Sequence, residues 1–131
     1  MLRAHGNLAT IVCAALLLAL PARSSTPEQY QVSIELGRLE ALLGRAHYRE
    51  AAEKAPLLRS QALALPPSEE ARRLVIRAEL VAGTAALALG QEAAARQCFL
   101  RALQLDPRLT LDPSTPPKVR RTFEAVRGMA R

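Results

Sequence analysis

The chain has 131 residues, with 18 Lys and Arg against 12 Asp and Glu and a formal charge of +6, which leaves room for a single domain with a mild basic excess. Acids interleave with that excess at Glu28, Glu35, Glu40, Glu50, Glu53, Glu69, Glu70, Glu79, Glu92 and Glu124, so the charge reads as solvated helix faces. With only Tyr30, Tyr48, Phe99 and Phe123 as aromatic platforms, nucleic acid is excluded as an expected partner.

The first segment, residues 1–24, reads as a secretory signal peptide. Met1 to Asn7 carries Arg3 and no acid, Leu8 to Leu20 is apolar or small apart from one Thr, and Ala22 and Ser24 stand at the usual cleavage spacing. The run is short of the roughly 20 apolar residues that span a bilayer, so cleavage near 22–25 is expected rather than a retained anchor. Cys13 lies inside the run, not after it, so lipidation is not expected. The expected destination is the periplasm or cell envelope. Loss of Arg3 and Arg23 takes the charge from +6 to +4 and leaves Cys98 as the one cysteine. No internal disulfide is then available, and Cys98, beside Phe99, is expected to be a buried filler.

Thr26-Pro27-Glu28-Gln29 is a helix start, with Thr26 as cap, Pro27 in the first turn and Gln29 completing a capping box. That helix is expected to reach about Leu43. Tyr30, Ile34, Gly37 and Ala41 would form its buried stripe, widened by Leu36, Leu39 and Leu43, and Gly44 would permit the turn. His47 is expected to be a polar turn residue. A second helix from His47 or Tyr48 to Leu63 places Ala51, Ala55, Leu58 and Ala62 on one face, with Pro56 predicting a kink or early break.

Pro66-Pro67-Ser68 ends that segment and caps the next, with Glu69 and Glu70 complementing the positive helix end. The longest helix is predicted over Glu69 to Leu89. Leu74, Ala78, Ala82 and Ala85 make its stripe, and Val81, Ala88 and Leu89 widen it. Gly90 then turns the chain into a helix that Pro107 closes.

Gly83, Ala95, Phe99, Ala102 and Pro107 together carry a resemblance to the tetratricopeptide repeat, a helix-turn-helix unit that usually serves as a docking scaffold. Gly83 takes the small position of the first helix, Ala95, Phe99 and Ala102 the small and ring positions of the second, and Pro107 the closing proline. Tyr48 and Ala51 give a weaker match. The resemblance implies a domain over 25–131, with a degenerate repeat at 26–65 and a better one at 68–107. It also implies a concave face lined by Arg77, Leu80, Val81, Thr84, Leu87 and Ala88, with Ser33, Leu36 and Glu40 as counterparts. Glu79 stands where the family commonly has a bulky ring.

Arg108 to Pro113 reads as an extended connector, and Ser114-Thr115-Pro116-Pro117 as a fresh helix start. Over 114–131, Val119, Phe123 and Val126 recur at helical spacing, with Lys118, Arg120, Arg121 and Arg127 on the other side, which predicts a polar-backed capping helix. The expected class is therefore all-α, about five helices in antiparallel pairs.

The histidine outside the leader stands alone, and no nucleophile motif or phosphate-binding glycine loop is evident, so neither catalysis nor a metal or cofactor is expected. The expected role is a protein or peptide docking scaffold. Two alternatives stay open: a basic module that contacts an anionic membrane surface through the C-terminal helix, and a small self-associating structural protein.

Overall fold

A computed structural model describes residues 25–130. The leader and its cleavage site lie outside the described residues. Five helices follow one another: α1 (Pro27–Gly44), α2 (Tyr48–Leu63), α3 (Glu69–Ala88), α4 (Glu92–Leu105) and α5 (Pro117–Met129). The chain is all-helical, and no strand occurs among the described residues.

Capping sets the starts of α1 and α3 and also joins them. Thr26 Oγ1 accepts from the Gln29 amide at 3.2 Å while Gln29 Oε1 accepts from the Thr26 amide at 3.1 Å, the reciprocal capping box. Ser68 Oγ accepts from the Ala71 amide at 2.9 Å and also from Gln29 Nε2 at 3.2 Å. The two caps therefore share one hydrogen-bonded cluster, which holds the starts of α1 and α3 side by side.

The two helix pairs are closed by the same turn. The His47 amide donates to the Leu42 carbonyl and the Ala46 amide to the Leu43 carbonyl; Gln91 and Gly90 repeat the pattern on Ala86 and Leu87, 44 positions on. This is a Schellman closure, which needs a left-handed residue after the helix. Gly90 supplies it at φ +78°, and in the first turn Ala46 does so at φ 62°. Gly44, expected to make that turn, instead ends α1 in helical conformation.

Two of the apolar stripes differ from expectation. On α1 the buried side chains are Gln29, Val32, Leu36 and Leu39, while Gly37 and Ala41 are exposed, Ile34 is half-buried and Tyr30 is 63% exposed. The same spacing 44 residues later, Leu74, Ala78, Val81 and Ala85, is buried in a cluster with Ala51, Ala55, Leu58 and Ala62 of α2. The α1 stripe has no preceding helix to meet among the described residues. On α3, Ala88 and Leu89 are exposed rather than part of the stripe, and Ala82 is half-buried.

Helix α2 runs without a break through Pro56 to Leu63. Pro56 is exposed, so the carbonyl that loses its amide partner does so on the solvent side of the helix, where water can replace the bond. After α4 the connector is not continuously extended. Asp106 Oδ1 accepts from the Arg108 amide at 3.0 Å and Asp112 Oδ1 from the Ser114 amide at 2.7 Å, two local side-chain turns.

A second core cluster joins α3, α4 and α5. Phe99 and Phe123 are both fully buried and meet edge to face, with centroids 5.7 Å apart and planes at 77°. Ala86, Leu87, Leu103, Val119 and Val126 complete it. No described helix is long and apolar enough to cross a membrane.

Candidate functional site

The side chains expected to line a concave face divide into two groups. Arg77, Leu80, Thr84 and Ala88 fall on one accessible stripe of α3, at helical steps of three and four. Val81 and Leu87 do not join them. Val81 is 3% exposed in the core against α2, and Leu87 is 1% exposed in the cluster that includes Val119 and Phe123. Leu80 also packs partly onto that cluster, together with Leu109 and Leu111 of the connector. The expected concave face is corrected here: α2 buries Val81, and the C-terminal segment covers Leu87 and part of Leu80.

What stays open on this face is polar. Arg77 crosses from α3 to α1, where Nε donates to Glu40 Oε1 at 3.0 Å and Nη1 to Ser33 Oγ at 3.1 Å, with Nη2 closing on the same carboxylate. Its side chain keeps 34% of its surface and that of Glu40 keeps 47%. A guanidinium held from two sides presents its remaining edge in a fixed direction. Arg73, one turn back on α3 and exposed, extends the stripe.

The helical positions that carry the resemblance are all buried, and Gly83 meets Phe99 across the α3–α4 contact. Ala95, Phe99 and Ala102 are 0% exposed, and a Cβ added to Gly83 would stand 2.5 Å from Phe99 Cε1. Pro107 is exposed just after α4 ends.

Beside that contact lies a buried charge at the position where the resemblance leads to the expectation of a bulky ring. Glu79 is 1% exposed, and its Oε1 accepts from Arg101 Nε of α4 at 3.0 Å. Arg59 Nε of α2 closes on the same oxygen as an ion pair without hydrogen-bond geometry, and Glu79 Oε2 accepts no hydrogen bond. One carboxylate thus ties three helices. The two arginines keep 35% and 39% of their side-chain surface, so their charge remains hydrated while the carboxylate does not. A glutamate on the packed side of an apolar helix, with arginines on both neighbouring helices, was the available signal.

Cys98 joins this cluster, with Arg101 Nη2 at 3.5 Å from its sulfur. Burial, reinforced by the Glu79 carboxylate and opposed by Arg101, pushes its thiol above the ordinary range. A thiol shifted upward is a poor nucleophile at neutral pH.

On α5, Lys118, Arg120 and Arg121 are exposed, but Arg127 is not part of a free basic side. Its guanidinium lies over the Phe123 ring at 5.2 Å, Nη1 donates to the Pro107 carbonyl at 2.9 Å, Nη2 to the Leu109 carbonyl, and Nε to Glu124 Oε2 at 3.0 Å. It fastens the connector to the capping helix. Among the described residues no three His, Cys, Asp or Glu side chains come together.

Comparison with protein-family models, curated proteins and solved structures finds no match for this chain.

Proposed function

We propose that the chain is an exported, non-catalytic adaptor of tetratricopeptide-like build, which docks a protein or peptide segment along the face shared by α1 and α3. The observation that carries this reading is Arg77, fixed between Ser33 and Glu40 while keeping a third of its surface. A preorganised, hydrated guanidinium on the same stripe as Leu80 and Thr84 suits hydrogen bonding to a partner's backbone carbonyls or carboxylates at little further ordering cost. The shared turn geometry of the two helix pairs supports a repeat origin. The site of action is the periplasm or cell envelope, in keeping with the character of residues 1–24.

A photo-reactive residue at Thr84, introduced in the native host, tests the reading. A discrete protein adduct is expected that disappears with Arg77→Glu and does not form from the same probe at Gln97 on α4. Equal adducts from both positions, or persistence with Arg77→Glu, would refute the assignment of this face. Weakening in high salt without dependence on Arg77 would favour membrane-surface binding through Lys118, Arg120 and Arg121.

A further inference from the structure

The unpartnered stripe of α1 has a property that its counterpart on α3 lacks. Tyr30, Ile34, Gly37 and Ala41 run as large, large, small, small along the helix, and all four are exposed or half-buried. A Cβ built at Gly37 meets nothing within 4 Å. Laid antiparallel on a copy of itself, with the two-fold axis between Glu35 and Leu36, the stripe sets Tyr30 opposite Ala41 and Ile34 opposite Gly37. Each large side chain then meets a small one, twice over by symmetry.

We infer that the protein pairs with a second copy of itself through this α1 stripe. The equivalent stripe on α3 shows what the position requires, because Leu74, Ala78, Val81 and Ala85 are buried by α2. At the other end of the stack α5 turns Lys118 and Arg121 outward, so that end is closed by charge. Among the described residues the open end is therefore α1, and an isologous contact there terminates at two copies and does not propagate into a filament. Beside the stripe, Glu40 comes near Ser33 of the copy on one flank and Arg38 near Gln31 of the copy on the other, so no like charges are forced together. A single-helix seam falls below the roughly 1,200–2,000 Å² of a standard stable interface, which makes this a weak, concentration-dependent dimer.

The test uses the protein as its host processes it, in sedimentation equilibrium from about 1 to 500 µM, a range set by the small interface. A monomer–dimer equilibrium is expected, and Gly37→Glu should raise the dissociation constant by about tenfold or more by placing a charge in the seam. Circular dichroism should show that variant melting at or slightly above the wild type at low concentration, because residue 37 faces open space and glycine is the poorer helix former. The register is read with Tyr30→Cys combined with Ala41→Cys. These positions lie about 16 Å apart along one helix and cannot bridge within a chain, so oxidation should give a covalent dimer linked 30 to 41. Monomer at every concentration overturns the inference. So does a dimer indifferent to Gly37→Glu, or capture of the stripe by residues 8–20 of the same chain or by a different protein. The seam borders Ser33 and Glu40, which hold Arg77, but Gly37→Glu leaves all three in place, so the Thr84 adduct in that variant tests the docking face separately.

Discussion

The Phe99 ring lies directly on the bare backbone of Gly83, closer than any side chain there would permit: a Cβ would fall 2.5, 2.9 and 3.0 Å from three ring atoms. The ring is fully buried and packs edge to face with Phe123. Gly83→Ala adds helix propensity of about 1 kcal/mol. It also forces the ring or the helix to shift, a cost of about 1–3 kcal/mol in a packed core. Sterics win because Phe99 has no open space to enter. Urea denaturation should show a lower midpoint for Gly83→Ala, and an unchanged or higher midpoint would mean that α3 and α4 do not approach this closely.

The two equivalent turns predict opposite effects from reciprocal substitutions. Ala46 holds φ 62° and Gly90 holds φ +78°. A residue with a Cβ pays about 1–2 kcal/mol in this left-handed region, part of which glycine gives back through its freer unfolded chain. Ala46→Gly should therefore stabilise by up to about 1 kcal/mol, and Gly90→Ala should destabilise by about the same amount. Thermal melts of the pair decide it. Two shifts of the same sign would show that something other than backbone conformation dominates.

These turns also show how far the sequence could be read. Capping by Thr26 and Ser68, the four-residue core face of α2 and the α5 spacing follow from local chemistry, which neighbouring residues settle. The α1 stripe departs from its expected burial because periodicity identifies an apolar face without saying whether a helix lies against it. Tyr30 and Leu74 occupy equivalent places, and only the second has α2 on it. Val81 and Leu87 were assigned to an open face for a related reason. Their exposure depends on α2 and on where α5 lands, which are long-range facts. For Glu79 the polar residue on a packed face is legible, but its partners are residues 59 and 101 on other helices, a long-range fact.

Glu79 anchors two arginines, and its removal should be felt on three helices. Breaking a buried ion pair costs about 3–5 kcal/mol when the remaining charge is trapped. Arg59 and Arg101 are each more than a third exposed and can rehydrate, so Glu79→Ala should cost less, about 2–3 kcal/mol including the cavity. Glu79→Met fills the space without a buried charge and should lose about 1 kcal/mol or less. Chemical denaturation of both variants separates charge from volume. Equal losses would assign the role of Glu79 to its charge, because methionine restores the volume and not the ion pairs.

Cys98 should be nearly inert in the native protein. Its thiol is pushed upward by burial and then by Glu79, so the folded state holds the proton more tightly than the unfolded chain does. For a group raised in this way, the stabilising contribution is complete below the unfolded thiol range and is lost as pH rises through the folded one. Stability should thus decline on the alkaline side, and Cys98→Ser should flatten that decline. Alkylation by iodoacetamide at pH 8 should require unfolding, with a rate that tracks denaturant. Rapid modification of the native protein would show an accessible thiolate and contradict the burial.

Arg127 separates structural from free positive charge on α5. It stacks on Phe123 and donates to two connector carbonyls, whereas Lys118, Arg120 and Arg121 point to solvent. A lysine cannot reproduce this fork of donors over a ring, so Arg127→Lys should behave nearly as badly as Arg127→Ala. The loss is local: each charge-assisted bond contributes about 1.5–3 kcal/mol at most, less here because Arg127 is partly hydrated. Hydrogen exchange should show faster opening of residues 106–129 with α1 and α2 unaffected. The triple change Lys118→Glu, Arg120→Glu and Arg121→Glu should leave exchange in that segment essentially unchanged. If the triple variant loosens the segment as much as Arg127→Ala does, net charge on α5 holds the cap in place, and the specific contacts of Arg127 do not.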